Sequence, residues 1–312
     1  MSRRRRYAGI ASFPWSLPVD VDALGLVEHV TIGGHKVTMK LPTLGDDLLL
    51  RAPTDHRGKP LPPQMLKAFE GKWGYRSSER SCYVAAASAS LLLYPQEKVH
   101  DSEEFNSLSG SFFSWFKAVQ EWAAAWTGTP LGNFDNSHNS AFHIPSGKGY
   151  LTASPVMMRT LFIEKQPLIR AQLSKAFHHA SHGEHLPVEH RMLLSAKDAE
   201  LGGDLRRAVI DAATAAEVAL ASYVADNLKA RGLERDFIDE MIKDVNCVVN
   251  LHALCTRLGG EPEISKGKLR DELANVRNRA AHGGQTPTQQ ETALAREHAA
   301  TIVRALRPLP QV

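Results

Sequence analysis

DLRRAVIDAATAAEVALASYVADNLKARG, residues 204–232, is the stretch whose reading decides the fold. Wound at about 3.6 residues per turn, it places Val209, Ala213, Ala216, Leu220, Val224 and Leu228 in one apolar stripe. Asp204 is a candidate N-cap and Gly232 stands just past the end, so the stretch predicts one long helix. Three more helical readings follow it. The first covers roughly 235–258, with a break inside it and Gly259 and Gly260 at its end. The second is KLRDELANVRNRAAH, residues 268–282, stopped by Gly283 and Gly284. The last starts near Thr288 and carries Leu294, Ile302, Val303 and Leu306 before Pro308. Short connections between helices of this length predict an antiparallel bundle.

The first half of the chain has different habits. LVEHVTI and HKVTMKL alternate in the strand manner on either side of Gly33 and Gly34, which predicts a hairpin with a two-residue turn. TDHRGKPLPPQ, residues 54–64, reads as a loop, and YVAAASASLLLYP as a strand in which the alanines blur the pattern. SGSFFSWFKAVQEWAAAWTG reads as a helix, with Ser109 or Ser111 as its cap and Gly128 as its stop. Its Trp115, Val119, Trp122 and Trp126 recur at helical spacing, the signature of a core-facing stripe. Residues 132–149 read as a turn-rich connector. Their SGKG lacks the rest of a phosphate-binding loop, which argues against nucleotide binding there. The expected organisation is an α+β domain over 1–150, a helical connector over 151–200 and an all-α domain over 201–312.

Bulk composition sets limits on function. With 43% hydrophobic and 23% charged residues, the 312-residue chain reads as globular and long enough for two cores. A net charge of +3 supplies no global basic field, so any nucleic-acid contact must be local. Arg3, Arg4, Arg5 and Arg6 are one such cluster, either a solvated tail or an arm that seeks phosphates. Cys82, Cys247 and Cys255 form no CxxC pair, and neither a disulfide framework nor a zinc motif is expected. No apolar run approaches the roughly 20 residues needed to span a bilayer, and SFPWSLPVD occupies the place of a signal-peptide apolar region. The expected setting is cytoplasmic, with no membrane.

Glu217 breaks the stripe of the long helix, lying between Ala213 and Leu220. A lone carboxylate in such a place costs several kcal/mol unless it is paired, protonated or close to water. The segment 268–282 offers the cation. Leu269, Leu273, Val276 and Ala280 form its apolar seam, and Arg277 sits beside that seam. Asn278 and His282, four apart, share a face. Arg277 and His282 are five apart, roughly 140° around an ideal helix, so unwinding of the last turn or the reach of the arginine is needed to bring them together. Two readings are open. Arg277 and Glu217 can form a structural ion pair while His282 stabilises the helix end, or the same residues can form a site.

RNRAAH, residues 277–282, is similar to the Rx4–6H motif of the HEPN superfamily, including the polar residue that follows the arginine. RAVIDAATAAEVAL, residues 207–220, looks like the first core helix of such a domain, and the resemblance covers approximately residues 200–306. It implies an all-α, dimeric, metal-independent endoribonuclease with no cofactor. Arg277 and His282 would be catalytic, assisted by Asn278, and Glu217 is added from the stripe argument. Arg279 and the N-terminal arginines would contact RNA, with tRNA as the first candidate. The chemistry fits. RNA brings its own 2′-hydroxyl nucleophile, histidine exchanges protons near neutral pH, and arginine binds phosphate oxygens as charge develops. Products would be a 2′,3′-cyclic phosphate and a 5′-hydroxyl. A two-fold dimer would supply two histidines to one cleft. Such nucleases occur in toxin and antiphage systems, which implies an antitoxin or a phage-derived trigger. The mixed first half resembles the extra N-terminal domains of antiphage HEPN nucleases of the ApeA type and would sense that trigger or restrain the nuclease.

Two rivals stand beside this reading. HHASHGEHLPVEH, from His178, holds histidines at metal-ligand spacing, but its Gly and Pro interrupt any single helix, and an exposed polar connector is expected instead. The other rival is a HEPN-like module that binds RNA or dimerises without cleaving.

Overall fold

A computed structural model describes residues 5–45, 49–55, 57–61, 63, 66, 73–93, 103–128, 142–143, 166–245 and 247–311. It comprises an antiparallel sheet region followed by a helical region, and it divides into two compact units that meet between His185 and Leu186. That division falls inside the stretch expected as a connector. Arg3 and Arg4, all of 132–149 except Phe142 and His143, and the first part of the expected connector, 151–165, lie outside the described residues.

The first unit is built on two long strands, β1 (Arg5–Asp20) and β7 (Ser81–Leu93), paired antiparallel from Arg5↔Leu93 to Asp20↔Ser81. The expected hairpin is β2 (Val27–Ile32) and β3 (His35–Lys40), in register from Val27↔Lys40 to Ile32↔His35. Its turn has φ of 55° at Gly33 and 81° at Gly34, the left-handed pair that a two-residue hairpin turn requires. A Cβ on Gly33 would also stand 2.3 Å from the Ser111 hydroxyl, so glycine is doubly needed there. Two short strands, β4 (Thr43–Leu44) and β5 (Leu50–Arg51), pair with each other in a separate two-stranded sheet. With β6 (Gly74–Arg76) and β8 (Phe142–His143), the main sheet runs β2-β3-β7-β1-β8, and β6 also pairs with β7.

The sequence signal for β7 was blurred for a physical reason. This strand is central, and Ala86 to Leu91 are buried without a break, so its side chains alternate between two covered faces. Arg5 and Arg6, read as part of a tail or arm, instead form the first ladder positions of β1 opposite Leu93 and Leu92. Between Ser12↔Ala86 and Leu17↔Val84 the register slips, five positions on β1 against two on β7, at the point where Pro14 can donate no ladder hydrogen bond.

Packed with this sheet among the described residues are α1 (Glu103–Thr127) and α2 (Arg170–Ser181). The predicted caps Ser109 and Ser111 are wrong, because α1 begins two turns earlier, at Glu103. The tryptophan stripe is core, as expected. Trp115 packs on Phe177 with ring centroids 5.2 Å apart, Phe116 stacks on Phe13 at 5.0 Å, and Trp122 stacks on His179 at 4.1 Å. The indole of Trp122 also donates to the Glu184 carbonyl at 2.9 Å. The histidine-rich segment is an exposed connector over 182–185, as expected, while its first residues belong to a helix. His178 and His179 close α2, and the next helix starts at Val188. Among the described residues, no group of three potential ligands stands close enough to hold a metal ion.

The second unit is helical: α3 (Val188–Leu201), α4 (Leu205–Ala230), α5 (Arg235–Val245), α6 (Val248–Arg257), α7 (Lys266–Lys268), α8 (Asn275–His282) and α9 (Gln289–Leu306). The expected break within 235–258 separates α5 from α6. A π-helical segment, Leu269–Ala274, joins α7 to α8. The long helix α4 is the hub, packed against α3, α5, α6, α8 and α9. Contrary to the expectation that no run is long and apolar enough, its length and composition would suffice to cross a membrane, but half of its most apolar window is buried within this unit. Asp204 caps it as predicted, accepting from the Arg207 N–H at 3.1 Å.

The chain beyond α9 is tied back by Arg307. Its guanidinium bonds the Glu189 carboxylate at 3.2 Å and that of Asp226 at 2.6 Å, while its carbonyl meets the buried His190 ring at 2.8 Å. Glu189 is only 4% exposed, so Arg307→Ala strands a buried charge and is expected to cost about 3 kcal/mol in urea unfolding at pH 7.5. Burial holds His190 below its ordinary pKa. The folded chain therefore binds this proton more weakly than the unfolded one, which takes it up near pH ~6.5, so its share of stability is complete above that value and drains away as pH falls below it. Unfolding free energies between pH 7.5 and 5.5 should decline less steeply in His190→Gln than in the natural chain.

Candidate functional site

The π-helical segment sets the geometry of the candidate site. The Asn275 N–H bonds back to the Arg270 carbonyl, an i→i−5 turn that inserts one residue just before the RNRAAH motif. The seam survives the insertion, and Leu269, Leu273, Val276 and Ala280 are all buried as expected. What changes is the face that the following residues present, because Arg277 and Asn278 no longer lie where an uninterrupted α-helix drawn from Leu269 would put them.

Arg277 lies half-buried on the side of α8 that packs on α4. Its Nη1 donates to the Asn278 Oδ1 at 3.2 Å. Glu217, half-buried on α4, is pushed above its ordinary pKa by desolvation, and the nearby positive charge of Arg277 offsets only part of that. No ion pair closes between the two within 4.0 Å, and among the described residues the Glu217 carboxylate takes no hydrogen bond. The structural ion pair left open by the sequence is therefore not formed here. Arg277 stands in the field of Glu217 while its guanidinium stays largely free.

Asn278 and His282 are both exposed and, four residues apart, share one face of α8. The unwinding suggested for the last turn does not occur. The α-helix is regular through His282 and ends at Gly283, whose N–H bonds to the Arg279 carbonyl at 3.0 Å. A Cβ on Gly283 would stand 2.9 Å from that same carbonyl oxygen, which explains a glycine there. Within one chain, Arg277 and His282 thus remain roughly 140° apart around the helix.

Arg279 is placed differently from its neighbours. Its Nη2 meets the Glu291 Oε1 at 2.6 Å. The other oxygen of Glu291 accepts from the Thr288 N–H at 2.8 Å, completing a capping box at the start of α9. Thr288 first, then Arg279, hold the Glu291 carboxyl below its ordinary pKa. The charge of Arg279, expected to meet RNA, is thus already engaged at the start of α9. The T-x-x-E spacing of Thr288 and Glu291 was a legible signal for this arrangement. Arg206 was missed altogether. It lies at the start of α4, yet its Nη2 donates to the Ala281 carbonyl at 3.3 Å, beside His282. No local pattern connects residues so far apart in sequence. Arg5 and Arg6 belong to the first unit.

No family model, curated protein or solved structure matches the chain.

The raised pKa of Glu217 carries a sign. A carboxyl that holds its proton more tightly when folded contributes stability below its unfolded pKa of ~4.3, and that contribution is lost as pH rises through the folded value. Glu217→Gln, which keeps the shape and cannot ionise, should match or exceed the natural chain in urea unfolding at pH 7.5. The difference should vanish near pH 4.

Proposed function

We propose that residues 186–311 act as a metal-independent endoribonuclease of HEPN type, working as a homodimer in which two copies of α8 line one cleft. The observation that carries the reading is the arrangement around Arg277. A half-buried arginine with a largely free guanidinium faces a desolvated carboxylate that costs stability, and an asparagine and a histidine stand exposed on the next face. A purely structural arginine would be closed into an ion pair, and a purely structural helix core would carry no carboxylate at Glu217.

In this reading the imidazole of His282 removes the proton of the RNA 2′-hydroxyl. The freed oxygen attacks the adjacent phosphorus, and the 5′-oxygen leaves with a proton from the histidine of the second copy. Arg277 stabilises the charge that develops on the non-bridging oxygens, Asn278 holds its guanidinium, and Glu217 orients it from the α4 side. tRNA is the first substrate to try, in an antiphage or toxin setting within the cytoplasm. The first unit would then sense a trigger or restrain the nuclease. Any antitoxin would have to cover this same end of α8.

One observation favours the non-catalytic alternative, an RNA-binding or dimerisation module. Because α8 stays regular, Arg277 and His282 point apart in a single chain, so catalysis requires the second copy. A cleavage assay separates the readings. Purified protein is incubated with total tRNA and a structured mRNA in EDTA, alongside Arg277→Ala and His282→Ala. The nuclease reading expects discrete fragments ending in cyclic phosphate and a loss of about 100-fold or more in either variant. His282 is exposed, so His282→Ala should hold its unfolding free energy within about 0.5 kcal/mol of the natural chain. Absence of cleavage by a folded dimer that still binds RNA would establish the module instead.

A further inference from the structure

The cations at this end of the second unit are not equivalent. Arg279 is committed to Glu291 at 2.6 Å. Arg207 is committed to Asp211 at 3.4 Å and to the Ser195 hydroxyl at 3.2 Å. The Asp204 carboxylate, the nearest acid along the chain, is turned to the Arg207 N–H as the cap of α4. Arg206 alone of these three arginines has no carboxylate within 4.0 Å among the described residues. Its one recorded bond goes to a neutral acceptor, the Ala281 carbonyl, at 3.3 Å. A guanidinium carries five N–H donors in a planar fork, so most of them remain unused. The side chain is exposed, and Ala281 immediately precedes the exposed His282.

We propose that Arg206 is a phosphate-binding residue that grips the RNA backbone beside the bond cleaved at His282. The bond to Ala281 fixes one edge of the guanidinium, and the remaining edge presents parallel donors that match two oxygens of a phosphodiester. The site is assembled from two places in the chain, the start of α4 and the end of α8. Because it adds a charge contact next to the proton-transferring group, it positions the strand and does not itself move a proton. This assignment rests on the ribonuclease reading above. The competing role for Arg206 is structural, capping the last carbonyls of α8.

Salt dependence distinguishes the two roles, because each cation that neutralises a phosphate adds to the slope of log affinity against log salt. The probe is a labelled single-stranded RNA titrated at several NaCl concentrations with full-length protein carrying His282→Ala, which prevents cleavage. Arg206→Ala and Arg206→Gln on that background should each bind about 5- to 10-fold more weakly and lower the slope by about 0.7 to 1, while Arg206→Lys keeps the slope. Glutamine can still donate to the Ala281 carbonyl, so a purely structural cap would be rescued in Arg206→Gln. Unchanged slopes in both neutral variants, with RNA still bound and cleaved by the natural chain, would overturn the Arg206 assignment and leave the ribonuclease reading standing. A natural chain that neither binds nor cleaves RNA would overturn both.

Discussion

The second unit depends on how closely other helices can approach α4. Ala208, Ala212, Ala213, Ala215, Ala216 and Ala219 are all buried to within 1% exposure, and they occupy more than one face of the helix. Small side chains let neighbouring backbones come near, and α3, α5, α6, α8 and α9 all use that space. A larger residue at any of these positions would have to push a helix away, which packed interiors resist at a cost of about 1–3 kcal/mol. The same closeness gives Glu217 its meaning. On a loosely packed surface its carboxylate would be hydrated and unremarkable. Within the alanine-lined contact with α8 it loses water and feels Arg277 as its main compensation.

Electrostatics at the rim of this contact follow from the same geometry. Bringing α8 against α4 sets the end of one helix beside the beginning of the other, so Arg206 reaches the Ala281 carbonyl. The turn into α9 then takes up Arg279 through Glu291, which at the same time caps that helix. Charges are thereby sorted. Arg207 and Arg279 hold helices in place, while Arg277, Arg206 and His282 are left with unused hydrogen-bonding capacity on or near the surface. Polar groups held near a surface without a structural partner are where ligand chemistry is most readily housed. At the other end of the helices, Arg307 closes on Glu189 and Asp226, and its role is structural.

The first unit obeys different physics. Its sheet is centred on two long paired strands, and its helices are fastened by aromatic stacking through Phe13, Phe112, Phe116, Trp115 and Phe177. Of the histidines that suggested a metal site, His179 is used in that packing, while His178, His182 and His185 are exposed. His179 stacks on Trp122 and bonds the Glu184 carboxylate at 2.5 Å, and His182 closes α2 through the His178 carbonyl. Spacing alone could not separate ligand from packing partner, because both uses place a ring every three or four residues.

Local patterns in the sequence determined much of this protein. The caps at Asp204 and Thr288, the Gly33–Gly34 turn, the apolar seam from Leu269 to Ala280 and the misplaced carboxylate at Glu217 all act over a few residues, and short-range backbone chemistry is enough to specify them. Two longer features escaped. The strand β1 was hidden by its prolines and by pairing with a partner some 70 positions away, and the start of α1 lay outside the apolar run used to find it. Only the tertiary structure decided the rest. It inserted a π turn before Arg277, kept α8 regular through His282, withdrew Arg279 to Glu291 and brought Arg206 to Ala281. Each of these outcomes turns on which helices touch and at what rotation, and that is settled by the joint packing of whole surfaces, which no single stretch of sequence contains.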